Sequence, residues 1–257
     1  MKIIEFLSNH PNGCALGDVA DGTGLNKSTT YRLIQNLVTL GYVTTAPEPG
    51  SYRLTSKFIA IGNKTYSSLN IIHIAQPHLR ELNRQTGDTV KLSIREPLHS
   101  VLIFILEPTG GMFRTRSYVG QGHPLYCSGM GKCYLAFSPP GFLDKYWEQE
   151  KNNIVRFTSN TITNIEVMRQ ELARIREEHI SYDREENEIG ISCIASPIIG
   201  VDNKVDHAIS ITLPTNRFND LLRMELGDRV RDTAEAISRE LGGAHTGQST
   251  NMVETSL

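Results

Sequence analysis

Leu25-Asn-Lys-Ser-Thr-Thr-Tyr-Arg-Leu-Ile-Gln-Asn-Leu-Val-Thr-Leu-Gly41 reads as a helix with two faces. Asn26 suits the N-cap, where a short acceptor side chain satisfies an unpaired backbone N–H, and Gly41 suits the residue after the last turn. A step of about 100° per residue gathers Thr30, Leu33, Ile34, Leu37, Val38 and Leu40 on one side. The other side carries Ser28, Arg32, Gln35 and Thr39, flanked by Thr29, Tyr31 and Asn36, with Lys27 at its start. Short hydrogen-bonding side chains and an arginine match base edges and phosphates. A surface helix with a solvated polar face has the same pattern, so the neighbours must decide.

Upstream, Met1–Asn9 places Ile3, Ile4 and Leu7 on one helical face, and His10-Pro-Asn-Gly13 turns the chain. Leu16–Thr23 is a short helix that Gly17 and Gly22 weaken. Short helix, glycine turn and longer helix is helix-turn-helix order. Downstream, Tyr42–Thr45 and Tyr52–Thr55 flank the Pro/Gly-rich tip Ala46–Ser51, which makes a hairpin, or wing. Arg53 alternates with Tyr52 and Leu54 and therefore points outward, within reach of a phosphate.

The 257 residues are enough for two domains, and 39% hydrophobic against 21% charged residues is a globular composition. A net charge of −2 argues by itself against a nucleic-acid binder. The charge is uneven: residues 1–70 hold 6 Lys/Arg against 4 Asp/Glu, and the remainder 20 against 24. The basic excess lies on the segment with the helix-turn-helix pattern. The chain has neither a signal-peptide pattern nor an apolar run of membrane length. Cys14, Cys127, Cys133 and Cys193 are scattered without zinc-ribbon spacing, as expected for reduced thiols in a cytoplasmic protein.

Beyond the wing, Ser56–Asn70 and Ile71–Gly87 read as helices, and they are expected to link the two functions. Thr89–Arg95, Val101–Glu107, Arg114–Val119, Ile189–Ile199 and Val205–Leu213 read as strands, the last two joined by a turn at Asp202-Asn203. Gly120–Pro124 reads as a loop. Lys132–Phe137, Phe142–Glu150, Ile165–His179 (capped by Asn164) and Leu221–Leu241 read as helices. This interleaving gives an α+β class.

The motifs together resemble the IclR family of bacterial transcription regulators. The stretch Leu25–Ile34 is similar to its recognition helix. Gly120-x-x-x-Pro-Leu125, Ser128-Gly-Met-Gly-Lys132, Thr161-Ile-Thr163 and Glu185-x-x-x-x-Gly-Ile-Ser-Cys-Ile-Ala-x-Pro197 are similar to its effector-domain patterns. The resemblance implies a winged helix-turn-helix over 1–56, a linker helix over 57–70, a GAF/PAS-like α/β effector domain over 71–243 and a disordered tail over 244–257. It also implies a first helix longer than the one that begins here at Met1. The implied function is sequence-specific DNA binding, as a repressor of a carbohydrate or sugar-acid catabolic operon controlled by a small organic acid. The implied partners are operator DNA, a sugar-derived acid and further copies of the chain, as a homodimer and dimer of dimers, with no membrane, metal or cofactor. Lys27, Ser28, Thr29, Tyr31, Arg32, Gln35, Asn36 and Arg53 are the expected DNA contacts.

The expected effector site is Gly129, Met130, Asp183, Cys193, Ser210 and Thr212. Gly129 and Met130 lie where a loop enters a helix, so free N–H groups and the helix dipole favour a carboxylate without a buried cation. Gly129 is expected to let the ligand approach closely. Ser210 and Thr212, two apart on a strand, face one way, and two hydroxyls in a dry core would be costly. Asp183 can accept from ligand hydroxyls. Two other readings stay open. Cys193 or Cys127 with His123 would suit a thiol enzyme or a zinc site, though no motif sets their geometry. The chain would otherwise be a metabolite-binding module that does not bind DNA.

Overall fold

The computed structural model describes residues 1–67, 70–109, 115–201 and 203–243. The chain separates into two units, Met1–Leu69 and Asn70–Leu257. The first contains α1 (Lys2–Ser8), β1 (Cys14–Ala15), α2 (Leu16–Thr23), α3 (Lys27–Thr39), β2 (Val43–Thr45), β3 (Ser51–Leu54) and α4 (Lys57–Ser67). α3 starts where its cap dictates: Asn26 Oδ1 accepts the Thr29 N–H at 2.8 Å. Gly41 follows the helix at φ +74°, a conformation that costs a residue without a Cβ little. Ile34 packs with Ile3, Leu7, Cys14, Val19, Val43 and Tyr52 in the core of this unit.

Three features depart from the periodicity reading. Leu33 and Leu40 are exposed, because they lie at the margins of the apolar arc and the small core covers only its centre, from Thr30 and Ile34 to the half-buried Leu37 and Val38. Cys14–Ala15 pairs antiparallel with Ser51–Tyr52, which adds a third strand to the wing, in the order β1-β3-β2. Two residues carry no readable period. Gly22 does more than weaken α2: a Cβ there would fall 1.9 Å from the Phe6 ring, so its small size allows α1 to lie against α2.

The second unit contains α5 (Asn70–Thr86), β4 (Thr89–Arg95), β5 (His99–Leu106), β6 (Gly122–Pro124), α6 (Gly129–Ala136), α7 (Phe142–Gln149), α8 (Ile165–Glu178), β7 (Ser181–Arg184), β8 (Ile191–Ile198), β9 (His207–Pro214) and α9 (Asp220–Glu240). Its six-stranded antiparallel sheet runs β6-β5-β4-β9-β8-β7. Directly paired residues of antiparallel strands point to the same face. One face therefore carries Val90, Ile211, Ile194 and Tyr182. α9 packs there, its Gly227 with Cβ space only 3.1 Å from the Tyr182 hydroxyl. The opposite face meets α6, where a Cβ on Gly129 would lie 3.2 Å from that of Ala195. α8 covers α6 through Met168, Leu172 and Ile175, the stripe its sequence presents, and Asn164 caps it by accepting from the Glu166 and Val167 N–H groups.

Two expectations about strands are corrected. Residues 115–118 form no strand, and Arg114 lies outside the described residues. The strand on the outer side of β5, opposite β4, is instead Gly122-His-Pro124, expected to be a loop. Its Pro124 is tolerated because the strand is at the sheet edge. β7 was not anticipated, since Ser181-Tyr-Asp-Arg184 is short and largely polar. Asp202 of the expected turn, residues 68–69 of the expected linker helix and the tail over 244–257 lie outside the described residues.

Two glycines in helices allow a test of this packing. A Cβ on Gly131 would lie 2.5 Å from the Leu125 carbonyl oxygen and 2.6 Å from its Cα, both backbone, whereas one on Gly17 meets nothing within 4 Å. Gly131→Ala should cost about 1–3 kcal/mol in urea unfolding. Gly17→Ala should instead be neutral or stabilise by up to about 1 kcal/mol. Equal effects of the two changes would contradict the packing described.

Candidate functional site

The first candidate surface is the outer side of α3. Lys27, Ser28, Tyr31, Arg32 and Asn36 are exposed, Thr29 is partly covered, and Arg53 points outward from β3. Two of the expected contacts are engaged within the unit. Ser28 Oγ donates to the capping Asn26 Oδ1 at 2.9 Å. Gln35, half-buried, directs its amide at the Tyr52 hydroxyl at 3.4 Å and so ties α3 to the wing strand. Tyr31, Arg32, Asn36 and Arg53 have side chains directed at solvent.

The second candidate site is a cavity of about 450 Å³ in the other unit. All six residues expected there line it: Gly129, Met130, Asp183, Cys193, Ser210 and Thr212. Strand register brings them together. Thr212 lies opposite Cys193 and Cys193 opposite Asp183, so β9, β8 and β7 each place one polar side chain in a single row. Ser210 begins the adjacent row, opposite Lys91 of β4. Thr212 Oγ1 and Cys193 Sγ are 3.3 Å apart. Asp183 Oδ1 accepts the Glu186 N–H at 2.8 Å. Ser128 caps α6 by accepting the Gly131 N–H, so the helix begins at the cavity wall.

Gly129 has a different role from the one expected. The space its side chain would occupy faces Ala195, so its small size serves the contact of α6 with β8. The expectation of a site without a buried cation is also corrected. Lys91 lines the cavity, is 7% exposed, and donates from Nζ to Ser117 Oγ at 2.9 Å. Burial pulls its ammonium pKa below the usual lysine value. Its position in a period-two strand reads as solvent-facing, and only a sheet covered on both faces turns that position inward. Ser117, His123 and Glu188 also line the cavity without having been expected as effector contacts.

A second lysine holds the site together. Lys132 of α6 has no solvent exposure; its Nζ donates to the Tyr182 carbonyl at 2.6 Å and to Glu186 Oε1, with Glu171 of α8 at 3.7 Å. Burial raises the Glu186 pKa, opposed by Lys132. Burial likewise lifts Asp183, aided by the Glu186 charge, to about 7.

The thiols are not arranged for nucleophilic chemistry. Burial raises Cys127 to about 12 and Cys193 to about 11, so both are protonated at neutral pH. Cys127 Sγ lies 3.8 Å from Asn187 Oδ1, and Cys193 is paired with Thr212. His123 is held near 4, chiefly by burial. Among the described residues, no three His, Cys, Asp or Glu side chains come together as a metal site. No described helix is long and apolar enough to cross a membrane.

Comparison with known proteins bears on both sites. Residues 1–47 match the model of the IclR helix-turn-helix domain, and residues 63–239 that of the bacterial transcriptional regulator IclR C-terminal domain. The chain is 54% identical over 242 residues to the DNA-binding transcriptional repressor YiaJ of Escherichia coli K12, covering 94% of this chain and 86% of that protein. It is 27% identical over 244 residues to the transcriptional repressor IclR of the same organism, covering 95% and 88%. The crystal structure of the transcriptional regulator YaiJ aligns with TM-score 0.66 at 52% identity, over 68% of this chain and 97% of that one. Thermotoga maritima IclR aligns with TM-score 0.72 at 31% identity, over 94% and 96%.

The raised pKa of Asp183 carries a stability signature. Its folded value, about 7, exceeds the ordinary 3.8, so between these values the folded state holds more protons than the unfolded state. This carboxyl therefore removes stability as pH rises through that window. The stability gained by Asp183→Asn should grow from about pH 4 to about pH 7 and level off above. Denaturant titrations of both proteins across this range measure it, and a difference that does not change with pH would refute the assignment.

Proposed function

Because this chain belongs to the IclR family of bacterial transcriptional regulators, we propose that it is a DNA-binding repressor of a sugar-acid catabolic operon, released or engaged by a small sugar-derived acid. The observation that carries the DNA-binding half is the polar outer face of a capped α3 followed directly by a β2–β3 wing. In this reading α3 enters the major groove, with Lys27, Ser28, Thr29, Tyr31, Arg32, Gln35 and Asn36 on the DNA side, and Arg53 reaches the backbone from the wing. Ser28 and Gln35 act partly through Asn26 and Tyr52, which they already touch.

One such module reads few base pairs, so the working form is a homodimer, or a dimer of dimers, on related half-sites. Ile59 and Ile61 of α4 are exposed, as a helix that pairs with another copy would require.

The cavity is the effector site in this reading. Gly129 and Met130 offer backbone N–H groups at the start of α6, and Asp183, Cys193, Ser210 and Thr212 meet the hydroxyls and carbonyls of the ligand. The YiaJ relative supports repression, and the polyhydroxylated character of the ligand is read from this row of hydroxyl and carboxyl groups. A ligand alters DNA affinity only by its preference for one conformation over the other.

Arg32→Ala should weaken binding to DNA fragments that the protein selects from genomic DNA by about 1–3 kcal/mol, with the fold intact. Fluorescence anisotropy measures this, and an unchanged affinity would remove Arg32 from the contact surface. Ser210→Ala combined with Thr212→Val should blunt the response to an acid that dissociates the parent from DNA, since each lost polar contact costs about 1–3 kcal/mol when buried. A double variant that responds like the parent would place the effector elsewhere.

A further inference from the structure

Among the described residues, the cavity holds a buried lysine that no carboxylate pairs directly. Lys91 is buried, and among the described residues no carboxylate oxygen lies within ion-pair distance of its Nζ, whose hydrogen-bond partner is the neutral Ser117 hydroxyl. Asp183, Glu107 and Glu188 act on it only from farther away. A buried ammonium without a counter-ion is costly, and the fully buried Lys132 of the same unit is paired with carboxylates. The difference between the two is that Lys91 faces a cavity. Thr115 Oγ1, also on the cavity lining, is buried without a partner among the described residues.

Position separates Lys91 from the start of α6. Lys91 lies opposite Ser210, Ser210 opposite Ala195, and Gly129 packs on Ala195. Two strand spacings place the Lys91 and Ala195 backbones about 10 Å apart. The backbone at Lys91 and the α6 entry thus stand at the two ends of the Lys91–Ser210–Ala195 row, on the scale of one sugar-length chain, with Thr212 and Cys193 in the next row and the exposed Arg116 also on the cavity lining.

We propose that Lys91 reads a second acidic group, so that this cavity takes a dicarboxylic acid with a hydroxylated chain, one carboxylate at the α6 amides and the other at Lys91. The inference rests on the cavity being the effector site. The carboxylate at Lys91 supplies the missing counter-ion, and the chain between the ends lies along Ser210, Thr212 and Cys193. A monocarboxylic acid of equal length leaves one of the two ends without its charge complement.

Calorimetry on the full chain with galactarate, a six-carbon dicarboxylate, and galactonate, its monocarboxylate counterpart, tests this. The parent should bind galactarate about tenfold or more tightly, the advantage of one buried charge-assisted hydrogen bond. Lys91→Met should erase that preference, and Lys91→Arg should keep it; a thermal melt of each variant checks the fold. Equal affinities in the parent, or a preference that survives in folded Lys91→Met, would overturn the proposal. If the two acids bind the parent equally, and Ser210→Ala with Thr212→Val abolishes the binding of both while Lys91→Met weakens neither, the effector site stands and the dicarboxylate reading falls. If neither acid binds, both readings fail.

Discussion

The ammonium group of Lys132, sealed from solvent between α6, α8 and β7, is the constraint on which the second unit depends. Removing a cation from water costs several kcal/mol, and the interior offsets this only where partners are placed well. Here the Tyr182 carbonyl, Glu186 and Glu171 are those partners. They come from β7, the loop after it and α8. Satisfying one charge therefore fixes the start of α6 against the edge of the sheet. Glu186 in turn donates its N–H to Asp183, which carries the same constraint into the cavity wall.

The sheet then acts as a divider. Its Val90–Ile211–Ile194–Tyr182 row faces α9 and is mainly apolar, the ordinary material of a core. The row one residue over, Thr89–Thr212–Cys193–Asp183, is polar and faces the side where α6 begins. The alternation that marks a solvated face in a simple antiparallel sheet marks a cavity wall here, because helices cover both sides. Polar groups enclosed in this way keep a defined arrangement, since each lost hydrogen bond is costly to leave unmade.

The first unit works by different means. Its core is small, and α3 is held by a cap, by Ile34 and by the Gln35–Tyr52 contact with the wing. What remains outside, Arg32 with Tyr31, Asn36 and Arg53, is exposed because this core needs only the opposite strip of the helix. The exposed polar face of α3 and the polar cavity thus lie in separate units, each built on its own core.

Much of this was legible in the residues alone. The 3.6-residue period of Thr30–Val38, the Asn26 and Asn164 caps and the stripe Met168–Leu172–Ile175 are local features, and local features survive into the fold. The six expected cavity residues were named through the family resemblance; of them, only the two hydroxyls of Ser210 and Thr212 on one strand point to a polar pocket by chemistry at short range. The roles of Lys91 and Lys132, the strands Gly122–Pro124 and Ser181–Arg184 and the purpose of Gly22 and Gly129 were decided only by tertiary structure. A lysine in a strand reads as solvent-facing until a second layer covers it, and a three-residue edge strand has no period to detect. A glycine shows its function only when the atom it excludes is known. Periodicity reports which side of an element is apolar; which polar side is sealed, and against what charge, depends on elements far away in the chain.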